Sequence, residues 1–227
     1  MFTCTTAEYE SAPAGKKYDY QRPLKRETQI ALWLCLGTLC RIGELLMAKP
    51  EHVDLDKGIW FIPRSNAKGR RQQKQEQTVF LSPFTKRLFK ELKDLTGEAE
   101  WLFPARNKVG QESHICLKTV SRQVGDRQTR FKKRSKPLSH RRHDDSLVLD
   151  GGKNGEWTPH DLRRTGATMM QEMGIALDII DRCQNHVMPG SKVRRHYLHY
   201  DYAGEKTEAW RRLGERIEEV LVTQLQV

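Results

Sequence analysis

The stretch at residues 157–165 constrains the fold most, because it has the features of a capped helix start inside a polar region. Thr158 is suited to the N-cap position and Pro159 to the first helical position. Asp161 follows three residues after the cap, where its carboxylate can accept a hydrogen bond from the cap backbone. Apolar or small residues then recur at helical spacing and predict a buried side for this helix: Leu162, Gly166, Met169, Met170 and Met173.

Two basic side chains stand in the opening turn of this predicted helix. His160 and Arg163 are three residues apart, so both are expected on one face of the helix start. Unpaired backbone N–H groups and the positive end of the helix dipole make such a turn favourable for a phosphate group. The stretch alone is equally consistent with a capped surface helix that has a solvated basic edge, so the rest of the chain has to decide.

The charge balance indicates the class of partner. The 227 residues carry 40 Lys and Arg against 29 Asp and Glu, a net charge of +11. A surplus of this size favours a polyanion, with nucleic acid ahead of an acidic membrane surface. No apolar run reaches the roughly 20 residues that span a bilayer, and no secretory signal opens the sequence. We therefore expect a cytoplasmic protein that binds DNA and no membrane.

The cysteines give no sign of a metal site or a disulfide framework. Their number is odd and none has Cys-x-x-Cys spacing, which predicts reduced thiols and no structural zinc. The five are Cys4, Cys35, Cys40, Cys116 and Cys183.

Hydrophobic periodicity predicts a mainly helical α+β fold. An almost continuously apolar helix starts at Thr28, and a second helix is expected from Arg41 to about residue 48. Residues 53–55, 59–63 and 78–81 have the pattern of short strands and predict a small three-stranded antiparallel sheet at one edge, with a basic hairpin. Further helices are expected after Ser82-Pro83, at residues 115–124, near residues 175–180 and at 203–225. Five residues form the apolar stripe of the last helix: Trp210, Leu213, Ile217, Val220 and Leu221.

Two other segments have a distinct character. Residues 1–24 are polar and aperiodic and are interpreted as a tail or the remnant of a linker, which leaves 25–227 as one domain. Residues 127–143 are dense in Arg and Lys, and are either a solvated loop or a source of phosphate contacts.

Five clusters follow one another in a particular order. They are residues 37–45 (Gly-Thr-Leu-Cys-Arg-Ile-Gly-Glu-Leu), Lys68-Gly69, His160-x-x-Arg163, His186 and Tyr197. Each is weak alone, but together they resemble the catalytic domain of the tyrosine recombinase (phage integrase) family over about residues 25–215. The resemblance implies a site-specific recombinase or integrase that cleaves and rejoins DNA through a covalent 3′-phosphotyrosine.

The resemblance also implies a role for each residue of the site. Two arginines hold the scissile phosphate, a hairpin lysine and two histidines assist, a tyrosine is the nucleophile, and no metal or cofactor is required. In this sequence they correspond to Arg41, Arg163, Lys68, His160, His186 and Tyr197.

The sequence departs from the family pattern in two places and leaves the nucleophile's register open. The family usually has Gly where Leu39 stands, and Gly or Ser where Asn185 stands. Tyr197 lies eleven positions after the second histidine, further than is common, so Tyr200 and Tyr202 are its rivals.

Elementary chemistry is consistent with these roles. A side-chain oxygen can replace water as nucleophile and keep the phosphodiester energy in a covalent bond. Two guanidinium groups can grip the non-bridging oxygens and remain charged, and Glu44, one turn after Arg41, can orient it. Lys68 can protonate the leaving 5′-oxygen, or it can be an ordinary phosphate contact, since several basic residues surround it.

Alternative functions follow from the same residues. A type IB topoisomerase uses similar groups as a monomer, and a DNA-binding module that has lost activity would keep the basic face. The amphipathic C-terminal helix favours a recombinase, because it can dock on a neighbouring copy of the chain. Because only about 25 residues precede the first core helix, we expect a catalytic domain without the family's N-terminal DNA-clamping domain.

Overall fold

A computed structural model of the protein describes residues 9–16, 23–67, 75–105, 112–132, 144–186 and 200–225. Lys68, Tyr197, Cys4 and residues 133–143 lie outside this part of the chain. The helices are α1 (Arg26–Thr38), α2 (Ile42–Leu46), α3 (Pro83–Thr96), α4 (Thr119–Gly125), α5 (Pro159–Glu172), α6 (Leu177–Cys183) and α7 (Ala203–Leu225). The strands are β1 (Val53–Asp54), β2 (Ile59–Ile62) and β3 (Gln77–Phe80). The predicted mainly helical α+β class is confirmed.

Helix α1 is the centre of the fold, and α3, α5 and α7 pack against it. Two glycines allow the close approach of its neighbours. A Cβ on Gly166 of α5 would lie 2.5 Å from the Leu36 carbonyl oxygen, and one on Gly37 would lie 2.7 Å from Cγ2 of Thr85. The continuous apolar sequence of α1 is therefore explained by burial on several sides at once.

The start of α5 follows the predicted cap. The backbone N–H of Thr158 donates to Oδ2 of Asp161 over 2.9 Å, and the Thr158 hydroxyl donates to the same oxygen over 2.8 Å. Because the cap is satisfied at this point, the register of His160 and Arg163 on the helix is fixed.

The three strands form the predicted antiparallel sheet in the order β1-β2-β3. Val53 is opposite Trp60, and Ile59 is opposite Phe80. Trp60 packs on Phe89 of α3 with ring centroids 5.3 Å apart, which joins the sheet to the helical core. β3 begins at Gln77 and ends at Phe80, one residue earlier than expected at each end.

Two helix predictions were wrong in their bounds. The second helix begins only at Ile42, because Arg41 has extended backbone and serves as its N-cap, and it ends at Leu46. The helix expected at residues 115–124 covers Thr119–Gly125. Ile115 cannot join it, since its backbone N–H donates to Phe103 O over 2.8 Å beside a bridge between Pro104 and His114.

The C-terminal helix α7 has the predicted bounds and closes the core. Trp210 is fully buried, and its Nε1 donates to Thr38 O at the end of α1 over 3.0 Å. Leu213 and Ile217 are also buried and Leu221 packs against the core partly buried, whereas Val220, the other expected member of the stripe, is 38% exposed. No helix within the described residues is both long enough and apolar enough to cross a membrane.

Candidate active site

Arg41 is held at the start of α2 by a buried carboxylate. Its backbone N–H donates to Oε2 of Glu44 over 3.0 Å, and its Nη1 donates to Oε1 over 2.8 Å. Glu44 is only 2% exposed, whereas the Arg41 side chain keeps about a quarter of its surface accessible. The predicted role of Glu44 in orienting Arg41 is confirmed, and the rest of the guanidinium is available to a ligand.

Arg163 lies in the core, one turn into α5, and is 2% exposed. Its Nη1 donates to the carbonyl of Leu39 and its Nη2 donates to the carbonyl of Gln184. One guanidinium therefore joins the end of α1 to the end of α6. Arg163 thus belongs to the core, and the interpretation of the helix start as a solvated basic edge does not hold for it.

The two arginines influence each other electrostatically. Burial and the positive charge of Arg41 lower the pKa of Arg163 to about 10. Arg163 remains protonated at neutral pH, so its charge lies near that of Arg41 in a partly dehydrated place. A bound anion such as a phosphate diester would relieve this repulsion.

Arg41 and His160 line one cavity of about 640 Å³. Ser65, Asn66 and Ala67 at the end of the described hairpin also line it, and Ala67 directly precedes Lys68. The other lining residues are Ile42, Gly43, Glu44, Met47 and Leu117. Of the predicted site residues that the structure describes, Arg163 and His186 do not line this cavity.

His186 lies three residues after the end of α6. Its Nδ1 lies 2.9 Å from Oδ1 of Asp181, and a carboxylate acts here as the acceptor. The His186 side chain is 44% exposed. Arg163 donates to the carbonyl of Gln184, two residues before His186. The backbone therefore links His186 to Arg163.

Both departures from the family pattern occupy left-handed backbone. Leu39 has φ of +57° and Asn185 has φ of +50°. Glycine enters this region freely, and asparagine tolerates it better than leucine does. Asn185 Nδ2 also donates to Gln75 O over 3.1 Å, which holds the turn before His186 against the residues that lead into β3. A positive φ therefore explains why glycine is usual at position 39 and is one of the two residues usual at position 185.

Two of the predicted catalytic residues, Lys68 and Tyr197, lie outside the described residues. The rival tyrosines are described. Tyr200 donates its hydroxyl hydrogen to Oε2 of Glu205 over 3.1 Å, and this bond raises the pKa of Tyr200. The Tyr202 ring lies 3.7 Å from Cζ of Arg182.

The sequence matches the model of the phage integrase family over residues 14–203, which is most of the chain. The chain belongs to the phage integrase family.

Two relatives and one solved structure show how far the similarity extends. The prophage integrase IntA of Escherichia coli (strain K12) is 27% identical over 175 residues, which are 77% of this chain and 35% of that protein. The integrase of Enterobacteria phage P4 is 39% identical over 85 residues, 34% of this chain and 19% of that protein. The chain therefore corresponds to much less than half of either relative.

The integrase from mycobacterium phage Brujita is similar in fold. The TM-score is 0.55 at 15% identity, over 85% of this chain and 53% of that one. At this identity the likeness concerns the fold alone.

Sequence reasoning missed some residues that shape the site of this phage integrase family member. Asp181 was not singled out, although it stands five positions before His186 at the end of a short helix, where the chain turns back on itself. Arg182 and Gln77 were missed as well, because their partners are distant in sequence and no local pattern indicates them.

The described cysteines are free thiols of low reactivity where they are buried. A hydrogen bond with Cys40, followed by burial, raises the pKa of Cys35 well above its usual value. Burial raises the pKa of Cys183 to about 12. Both therefore stay protonated, and neither is a candidate nucleophile. Within the described residues, no three His, Cys, Asp or Glu side chains are grouped as metal ligands.

Proposed function

We propose that residues 25–227 form the catalytic domain of a site-specific DNA recombinase that cleaves and rejoins strands through a 3′-phosphotyrosine. The observation that carries this proposal is the pair of arginines in a phage integrase family chain. Arg41 is oriented by buried Glu44, and Arg163 is buried close enough for the charge of Arg41 to lower its pKa. Two guanidiniums on one anion are suited to a phosphodiester, whose charge grows on two non-bridging oxygens during cleavage.

The covalent step requires a nucleophile, a base and an acid. The hydroxyl oxygen of Tyr197 attacks phosphorus while its proton passes to His160, which lines the cavity beside Arg41. The bond from phosphorus to the 5′-oxygen breaks, and Lys68 protonates that oxygen. Rejoining is the reverse reaction, with a 5′-hydroxyl as the attacking group.

His186 stabilises the phosphate in this mechanism. Asp181 accepts a hydrogen bond from Nδ1 of His186, so Nε2 lies on the side of the ring away from the carboxylate, where it can contact a non-bridging oxygen. Loss of either partner is expected to slow cleavage without preventing folding, because both side chains are substantially exposed.

The contacts of the neighbouring tyrosines support Tyr197 as nucleophile. Tyr200 is engaged by Glu205, and the raised pKa of its hydroxyl disfavours the phenolate. Tyr202 has its ring occupied by Arg182. Each of the two tyrosines would lose its described contact if it moved to attack the phosphate.

The proposed partners are double-stranded DNA and further copies of the chain, acting together in the cytoplasm. Val220 and Val222 near the end of α7 are 38% and 55% exposed. We infer that this end of the helix docks on a neighbouring copy bound to the same DNA, as an amphipathic helix without a complete intramolecular partner would.

The test uses nicked suicide duplexes with a randomised core, so that the target sequence need not be specified in advance. Protein linked to DNA is isolated under denaturing conditions, and the modified peptide and the captured sequences are read. Wild type should yield adducts on Tyr197, and Tyr197→Phe should yield none while still binding DNA. Binding without any adduct would assign an inactive module, and supercoil relaxation without strand transfer would assign a type IB topoisomerase.

Lys68 has its own test. A 5′-bridging sulfur leaves without a proton, so Lys68→Ala should slow cleavage of the oxygen substrate but hardly that of the sulfur substrate. An equal defect on both substrates would reduce Lys68 to a phosphate contact.

A further inference from the structure

Leu117 is an exposed apolar residue in the lining of the cavity that also contains Arg41. It is 39% exposed. Other large hydrophobic residues that are exposed in the described part of the chain lie outside this cavity, for example Leu95 on α3 and Leu177 on α6. Apolar surface that is open to water gains free energy when the apolar atoms of a ligand cover it.

The backbone on both sides of Leu117 is fixed by hydrogen bonds. The N–H of Ile115 donates to the carbonyl of Phe103 over 2.8 Å, and the N–H of Thr119, the first residue of α4, donates to the carbonyl of Cys116 over 2.8 Å. The turn that carries Leu117 is therefore held in place before any ligand binds, which lowers the entropic cost of a contact.

Leu117 is also close to the start of α2, where Arg41 is the N-cap residue. A Cβ on Gly43, two residues after Arg41, would lie 3.9 Å from Cδ1 of Leu117. Groups bonded directly to a phosphate on Arg41 are therefore within reach of the Leu117 side chain.

The cavity is too large for a phosphate group alone. Its volume is about 640 Å³, whereas a phosphate group occupies about as much space as three water molecules of roughly 30 Å³ each. Ile42 and Met47 add apolar surface to the lining, while Arg41 and His160 supply polar groups. A ligand that suits this lining combines a phosphate with apolar atoms.

We propose that Leu117 packs on a deoxyribose next to the scissile phosphate. The carbon atoms bonded to the bridging oxygens of a phosphodiester belong to sugars, and the bases are further away. An apolar group beside a phosphate-binding arginine therefore meets sugar first, whatever the base sequence, and positions the backbone without reading it. This inference rests on the proposed function and adds a sugar subsite to the same cavity.

The test adds bulk to the sugar and removes it from the protein. Nicked duplexes of a sequence captured by the wild type carry a 2′-O-methyl group on the nucleotide at one side or the other of the scissile phosphate. Cleavage is measured in single turnover with saturating protein. At one of the two positions the added group should slow the wild type about tenfold or more, because it collides with Leu117.

Leu117→Ala removes the collision, so the same 2′-O-methyl group should slow this variant by less than about threefold. On unmodified DNA, Leu117→Ala should be slower than wild type by about three- to tenfold, because the sugar loses its apolar contact. The penalty of the 2′-O-methyl group is a ratio of two rates within one variant, so the folded fraction of that variant cancels.

One control concerns the protein and one concerns the sugar. Leu95→Ala truncates a leucine that is 49% exposed on α3, so it should keep the full wild-type penalty. A 2′-fluoro group changes the sugar pucker with little added bulk, so wild type and Leu117→Ala should respond to it alike. Relief of the 2′-O-methyl penalty in Leu95→Ala would overturn the assignment to Leu117.

The outcomes separate the sugar contact from the proposed function. A wild type that cleaves no duplex would refute the proposed function and this inference with it. A wild type that cleaves unmodified DNA, with a 2′-O-methyl penalty at both positions that is absent or unchanged in Leu117→Ala, would refute the sugar contact alone.

Discussion

The arginine side and the histidine side of the proposed active site are built in opposite ways. Arg163 and Glu44 are each 2% exposed, and Arg163 directs its donors to two backbone carbonyls. His186 and Asp181 are 44% and 42% exposed and pair with each other. The arginine side is thus part of the hydrophobic core, whereas the histidine side lies at the surface. Substitutions on the first side should alter stability and activity together, and those on the second should alter activity alone.

The largest effect is expected from Arg163→Ala. It leaves the carbonyls of Leu39 and Gln184 without their donor, so unfolding in urea should be easier by about 2–4 kcal/mol. Adduct formation should fall on the order of 100-fold. Arg164→Ala is the matched control, because Arg164 is exposed and its ion pair with Asp161 lies at the surface, and it should change stability by less than about 1 kcal/mol. Equal losses of stability in Arg163→Ala and Arg164→Ala would contradict the assignment of Arg163 to the core and of Arg164 to the surface.

Gly166→Ala tests whether the close packing of α5 on α1 holds Arg163 in place. The added Cβ would lie 2.5 Å from the backbone oxygen of Leu36, so α5 must move, at a cost of about 1–3 kcal/mol that exceeds the gain in helix propensity. Arg163 would move with it and cleavage should slow. Gly204→Ala on α7 meets nothing within 4 Å and should be nearly neutral. Thermal unfolding of the two variants gives the comparison, and a neutral Gly166→Ala would refute the close approach.

Glycine substitutions at the two left-handed positions, Leu39 and Asn185, should have intermediate effects on stability. Leu39→Gly relieves backbone strain of about 1 kcal/mol but removes a fully buried side chain, so a net loss of about 1–3 kcal/mol is expected. Asn185→Gly removes only one bond to Gln75 and should stay within about 1 kcal/mol of wild type. A lower free energy of unfolding for Asn185→Gly than for Leu39→Gly in urea titrations would contradict this expectation.

The smallest effect on stability is expected from Asp181→Asn on the histidine side. Its ion pair is exposed, so the free energy of unfolding should change by less than about 1 kcal/mol. Adduct formation should nevertheless slow by up to about tenfold, because the ring of His186 loses its orientation and its carboxylate partner. Asp178→Asn on the same helix is the control. An unchanged cleavage rate in Asp181→Asn would remove Asp181 from the mechanism.

Local patterns in the sequence predicted a large part of the fold. The cap formed by Thr158 and Asp161, the three strands and the bounds of α7 depend on neighbours a few residues apart, and the structure contains them. The bounds of α2 and α4 were wrong where backbone bonding overrode periodicity, as Ile115 shows by pairing with Phe103.

The partners of the site residues were less accessible to sequence reasoning. The carbonyl that Arg163 reaches on Leu39 is 124 positions away, and the one on Gln184 is 21 positions away. Nothing local signals such bonds, nor the left-handed backbone at Leu39, which a leucine is not expected to adopt. The catalytic roles of all six site residues are predictions, and two of these residues, Lys68 and Tyr197, lie outside the described part of the chain.

The central claim is that the charge of the two arginines stabilises the scissile phosphate, and Arg41 tests it most directly. Arg41 lines the cavity and keeps about a quarter of its side-chain surface accessible, so Arg41→Ala removes a charge from the cavity wall. The buried Glu44 also loses its partner in this variant, so the same variant is compared on two substrates, and any loss of stability affects both equally. Adduct formation by this variant is compared with wild type on a phosphate and on a methylphosphonate, in which a methyl group replaces one charged oxygen at the cleaved position. The deficit should be on the order of 100-fold on the phosphate and should shrink below about tenfold on the neutral methylphosphonate. A deficit of the same size on both substrates would contradict a role of Arg41 in binding phosphate charge.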